Sequence, residues 1–238
     1  MSVGWGRSGR VRATCIVVTA ALALAASHGA ALAIGGAFAV DNAGVDDAGS
    51  CKVEAWASAA RNGDRVFAVA PACAVPLGQP VEFGLQFDRV RFDGQWASAG
   101  ALTAKTSLIP LTDHAHFGAA ISGAAVLSFA TNEIAAYVLN IPLSFRVAEP
   151  LQLNVQGGGL WERSTGHNHF TWGAGFQLAL TPQLTFVGEL FSLASAHRGA
   201  QAGLRYTPHE KIDFDLIYGH NLAGEKSGWL TVGVNIRF

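Results

Sequence analysis

Every second position of the final stretch, Leu230, Val232, Val234, Ile236 and Phe238, is apolar, and Thr231, Gly233, Asn235 and Arg237 lie between them. A period of two puts the two sets on opposite faces of a strand. The same alternation recurs upstream. Val81, Phe83, Leu85 and Phe87 oppose Glu82, Gly84, Gln86 and Asp88, and Leu151, Leu153 and Val155 oppose Gln152, Asn154 and Gln156. Leu184, Phe186 and Leu190 oppose Thr185 and Glu189. Near the end, Ala202, Leu204 and Tyr206 oppose Gln201, Gly203 and Arg205, and Phe214, Leu216 and Tyr218 oppose Asp213 and Asp215.

Turn residues separate these runs and fall into two classes. Those near Pro76, Pro110, Pro150, Pro182 and Pro208 are mostly short, and they alternate with turns around Asn62, Asp93, Asn132, Gly166, Ser195 and Gly224. This predicts an all-β chain: a transmembrane up-and-down antiparallel β-barrel of about 12 strands, with the short turns on the side that carries both chain ends. Alternation is weakest around residues 114–130, and merging that pair gives a ten-strand alternative. Residues 51–238 allow about 16 residues for each strand with its loop, against about 9–11 needed to cross. A soluble β-sandwich also alternates, but it would bury the apolar face and has no use for a regular aromatic exterior.

Composition supports the membrane reading. The chain has 238 residues, half of them apolar and 14% charged, yet no apolar run of helix-spanning length follows the first 40 residues. A closed barrel is the other way to satisfy every backbone group in a bilayer. The amino terminus reads as a signal peptide over residues 1–33. Arg7, Arg10 and Arg12 precede an apolar run at 15–26, and Ala31-Leu32-Ala33 offers a cleavage site, with Ala37-Phe38-Ala39 a second. An uncleaved anchor helix is the competing reading. Loss of the three arginines takes the formal net charge from −1 to −4, so no nucleic-acid partner is expected. Residues 34–50, including the turn-rich acidic stretch VDNAGVDDAGS, read as a periplasmic N-terminal segment before a barrel at 51–238. An acidic plug inside the lumen is the sharper alternative.

Processing leaves two cysteines, Cys51 and Cys73, in an oxidising compartment. Asn62-Gly63 between them is a hairpin signal. With a three-residue loop at 61–63 and Gly63 left-handed, the cysteines are equally far from the flanking Ala60 and Asp64, so a cross-strand disulfide is predicted. A two-residue loop would offset them by one.

The last hairpin, KIDFDLIYGHNLAGEKSGWLTVGVNIRF, resembles the final hairpin of many small, mostly uncharacterised proteobacterial outer-membrane barrels, in which a YG-x-N…GE…W segment precedes a strand ending in Arg-Phe. LQLNVQGGGLWER and FTWGAGFQLALTPQLTFVGELF are similar to the middle of that group, and DDAGSCKVEAW to its start. A looser likeness is to the outer-membrane proteins of the phenol-degradation meta-pathway family. The resemblance implies the bacterial outer membrane as location, with its lipids and the barrel assembly machinery as partners and Phe238 as the assembly signal. It implies no solute and no oligomeric state.

Candidate chemistry lies on the polar face. Glu82, Asp88, Glu189, Arg205, Asp213, Asp215 and Arg237 are the lumen-facing candidates. Arg205, Asp213, Asp215 and Arg237 come from three consecutive strands, so opposite charges are cross-strand neighbours, with Arg205 expected near Asp213. They read as a ladder of structural ion pairs or as a constriction selecting small polar solutes by charge. Glu82, Glu162 and Glu189 would favour cations slightly. His114 with His116, and His167 with His169, sit on opposite rims, and His167, His169, His197 and His220 lie on neighbouring loops. They read more simply as solvated histidines than as metal ligands, and no metal or cofactor is expected. The His-x-Ser-Asn arrangement of outer-membrane lipid hydrolases does not occur, so the chain reads as a non-enzyme. A narrow passive channel for small hydrophilic solutes is the first functional reading. A structural or interaction barrel with a filled lumen is the second.

Overall fold

The computed structural model describes residues 37–238 except 113–114, 164, 195–196 and 224–226. Residues 1–33, expected to be a signal peptide, and His114 fall outside the described residues. The strands are β1 Cys51–Ala60, β2 Arg65–Leu77, β3 Gln79–Phe92, β4 Gln95–Ile109, β5 Phe117–Ser128, β6 Glu133–Ala148, β7 Leu151–Glu162, β8 Asn168–Thr181, β9 Leu184–Ala194, β10 His197–His209, β11 Ile212–Asn221 and β12 Gly228–Arg237. Each pairs antiparallel with its sequence neighbour, and β1 pairs with β12, which closes the barrel. The ten-strand alternative is not realised, because β5 pairs along its length with both β4 and β6.

Alternation becomes geometry in β11. Phe214, Leu216 and Tyr218 are about half exposed on the outside (49, 51 and 49%), whereas Asp213, Asp215 and Ile217 are 2, 7 and 0% exposed on the inside. Phe83 and Phe87 of β3 are likewise exposed and Gln86 buried. A sandwich would show the reverse, since its apolar faces would meet each other. The outer wall therefore offers its apolar side chains to the surroundings, as a bilayer-spanning wall must.

The first and last strands meet at the seam. The Cys51 N–H donates to the Phe238 carbonyl at 3.0 Å, and the Phe238 N–H donates back at 2.9 Å. The rim at this end carries the short turns: Gly78 with φ +82° between β2 and β3, and two-residue links after β6, β8 and β10. The turn expected over Pro76 to Gly78 is tighter in the structure, because Pro76 and Leu77 still pair with Pro80 and Gln79.

The first hairpin follows its predicted register. Gly63 is left-handed at φ +96°, Ala60 N–H donates to the Asp64 carbonyl at 2.9 Å, and Cys51 stands opposite Cys73 in a disulfide. The bridge closes a loop with a sequence separation of 22, worth about 3.4 kcal/mol in unfolded-state entropy. We expect the processed chain to show no alkylatable thiol by mass spectrometry until reduced. Reduction should lower its urea midpoint in detergent, and an unchanged midpoint would show that the hairpin alone supplies this constraint.

Candidate functional site

Residues 37–46 do not trail away from the barrel as a tail. They run inside the bore, with residues 37–41 and Ala43 buried against the wall. This segment has no strand ladder, so its backbone groups need other partners, and inward-facing wall side chains provide them. The Glu189 carboxylate accepts from the N–H groups of Ala39 at 2.9 Å and Val40 at 3.3 Å. Gln156 grips both sides of the chain: its Oε1 accepts from Asp41 N–H at 2.7 Å, and its Nε2 donates to the Ala39 carbonyl at 3.1 Å. Ala43 N–H donates to Ser144 Oγ at 2.9 Å.

Space for the segment comes from the wall. A Cβ at Gly173 would lie 2.8 Å from Val40 Cγ2, so a side chain there would push the segment off β8. Ala37 and Phe38 pack with Trp56, Ala68, Val187 and Ile217 into an apolar cluster. The interior is thus partly dry, although the alternation pattern suggested a polar face throughout.

Charge holds the rest. Arg205 lies with its guanidinium carbon 4.7 Å from the Phe38 ring centroid, while its Nε and Nη2 donate to the two Asp215 oxygens at 2.8 and 2.9 Å. The paired residue is Asp215, not Asp213, because the ladder sets Arg205 opposite Asp215 and shifts register only beyond Tyr206. Asp213 instead meets Arg237, Thr207 Oγ1 at 2.8 Å and Asn235 Nδ2 at 3.4 Å. Lys105 Nζ donates to Asp41 at 2.8 Å, and Lys52 bridges Asp46 at 3.2 Å and Glu82 at 2.9 Å. Glu189 also accepts from Gln201 Nε2 at 2.6 Å, and Asp88 from Gln86 Nε2 at 3.0 Å. Between segment and wall remains a polar space of about 220 Å³ lined by Asp41, Lys52, Glu82, Lys105, Arg205 and Arg237.

Glu82, Asp88, Glu189, Arg205, Asp213, Asp215 and Arg237 therefore all belong to the inner wall, but only some serve one site. Glu189 and Arg205 touch the inner segment directly; Asp88 stands apart with Gln86. Lys52, Glu54 and Lys105 were not among the sequence candidates, although each shares the parity of an inward neighbour. Lys52 and Lys105 set positive charge beside Glu82 and Asp41. They offset the negative interior on which a cation preference was expected. At the other rim, Glu162 comes beside His167 and His169, with its Oε1 3.6 Å from His169 Nε2. His116 sits apart at the seam-side rim, its Nδ1 3.3 Å from the Arg146 carbonyl.

Comparison with known proteins agrees with this architecture. The KdgM porin superposes with a TM-score of 0.62 at 10% identity, covering 79% of this chain and 99% of the porin. A COG4313 outer membrane channel from Pseudomonas putida F1 gives 0.57 at 13% identity over 83% and 98% of the two chains. The NanC porin gives 0.56 at 11% identity over 78% and 98%. At these identities the likeness is one of fold, a closed barrel of the outer-membrane porin kind. No curated protein matches the sequence. The family described as Uncharacterised conserved protein UCP029691 matches residues 21–238.

Proposed function

We propose that this chain, which belongs to the family described as Uncharacterised conserved protein UCP029691, is an outer-membrane passive channel for small hydrophilic solutes, closed at rest by its own residues 37–46. The observation that carries the reading is the way the segment is held. Among the described residues its backbone is held to the wall by side chains, chiefly Glu189 and Gln156, so it can leave the wall without breaking any strand pair. Its removal would join the polar space beside Lys52, Glu82 and Lys105 to the rest of the bore. Ion pairs of both signs line that path, which suits polar solutes without a strong preference for cations or anions. Phe238 at the seam would serve as the terminal aromatic read by the assembly machinery, after removal of a signal peptide.

Planar-bilayer recording of the processed chain tests this. A Glu189→Ala, Gln156→Ala variant loses two hydrogen bonds to the Glu189 carboxyl group and two with the Gln156 amide. At about 1 kcal/mol each, about 4 kcal/mol in all, the open fraction should rise by on the order of 1,000-fold. The processed chain should show rare, brief openings and the variant sustained ones. A second reading, a structural barrel with a filled lumen, is favoured by the apolar cluster that Ala37 and Phe38 form with Trp56 and Ile217. It would stand, and the channel would fall, if the variant were folded and silent at all voltages.

A further inference from the structure

We propose that the rim opposite the seam carries a binding site for a borderline divalent transition ion of the zinc class, built by Glu162, His167 and His169. One ligand atom from each of the three lies within 4.8 Å of the others. The arrangement is set by the β7–β8 hairpin. Glu162 ends β7 on the inward face, two residues after the buried Leu160, and Leu160 stands opposite His169 in the ladder. Both side chains therefore project into the mouth of the bore from neighbouring strands.

The turn between them fixes the third ligand. Glu162 N–H donates to the His167 carbonyl at 2.9 Å, Gly166 N–H to the Glu162 carbonyl at 3.0 Å, and His167 N–H to Thr165 Oγ1 at 3.2 Å. Gly166 takes φ +70°, which lets the chain reverse and return His167 over Glu162.

Glu162 is the informative member. Its side chain is only 5% exposed, a costly place for a carboxylate without a cationic partner. The Thr165 hydroxyl satisfies Oε2 at 2.7 Å. Oε1 faces His169 Nε2 across 3.6 Å, too far for a hydrogen bond. A cation between the imidazoles and this oxygen would neutralise the buried charge, and the Thr165 contact would orient the carboxylate as an outer-shell partner does. Two nitrogens and one oxygen suit zinc, nickel or copper rather than calcium or magnesium, which take oxygen ligands. Bonds of about 2.0–2.1 Å require the three ligand atoms to draw somewhat closer, and His167, the exposed member, is the one whose movement costs no burial. Three protein ligands leave at least one coordination position open.

Calorimetric titration of ZnCl2 into the chelator-treated, refolded processed chain in detergent tests the site, and heat is read whether or not the bore conducts. One saturable ion per chain is expected, weakened about tenfold or more in both His167→Ala and His169→Ala. Binding in His116→Ala and His209→Ala should be unchanged, and calcium should not compete. Heat-shifted gel mobility shows that each variant is folded. His167 projects from an exposed turn, so its variant stays interpretable even if His169→Ala misfolds. Absence of saturable binding, or wild-type affinity in folded His167→Ala, overturns the proposal, as does equal competition by calcium.

Discussion

Asp215→Ala should cost the barrel about 3 kcal/mol, read as a lowered urea midpoint of tryptophan fluorescence in detergent micelles. The Asp215 side chain is 4% exposed and receives both donors of the Arg205 fork. Its removal leaves a guanidinium in the bore under the Phe38 ring. Breaking a buried pair on one side costs about 3–5 kcal/mol, and the lower figure applies because the Arg205 side chain keeps 23% of its surface in contact with solvent. The paired replacement Arg205→Met, Asp215→Leu removes both charges and should recover most of the loss. Near-identical midpoints for Asp215→Ala and the parent would mean that Arg205 draws its stability from Phe38 and water instead.

Gly158→Val should be more damaging, preventing a large share of the chain from closing. Gly158 lies in β7 between Asn140 of β6 and Thr171 of β8. Above it, the Thr171 hydroxyl donates to Asn140 Oδ1 at 3.3 Å, bridging three strands on the inner wall. A Cβ at Gly158 would fall onto the Leu139 carbonyl and Asn140 Oδ1, and 3.0 Å from Thr171 Oγ1. Overpacking of about 1–3 kcal/mol joins the loss of a buried hydrogen bond, for a total of about 4 kcal/mol. Gly157, one residue earlier, faces the other way with only Phe170 Cζ at 3.9 Å. Gly157→Val should therefore fold within about 0.5 kcal/mol of the parent. The two variants differ only in which face receives the side chain. The folded fraction on unheated gels separates them, and equal yields would contradict the inner-wall crowding.

The wall was legible in the sequence because its two faces meet different solvents. Runs such as Val81 to Asp88 record that difference residue by residue, and the Asn62-Gly63 turn places Cys51 against Cys73 before any contact is known. The bore was less legible. Val40 and Asp41 touch Glu189 and Gln156 from more than 100 positions away in the chain. An irregular segment held by side chains leaves no periodic mark, and a turn-rich acidic stretch reads equally well as a linker. Lys105 was readable in principle, since it shares parity with the buried Ser107, but β4 is rich in small residues that alternate weakly. The Arg205 partner depended on a register shift near Pro208, which no pattern of apolar positions encodes. Glu162 joined the histidines only once the β7–β8 register set Leu160 against His169.

The reciprocal bonds between Cys51 and Phe238 also bear on how the protein is made. The first stave finds its second neighbour only when β12 has been made, so a chain cut short of that strand is left as a sheet with two raw margins. Such a fragment offers unpaired donors and acceptors to any passing chain. Closure of the sheet is therefore tied to the arrival of β12, the one strand that covers both open margins at once.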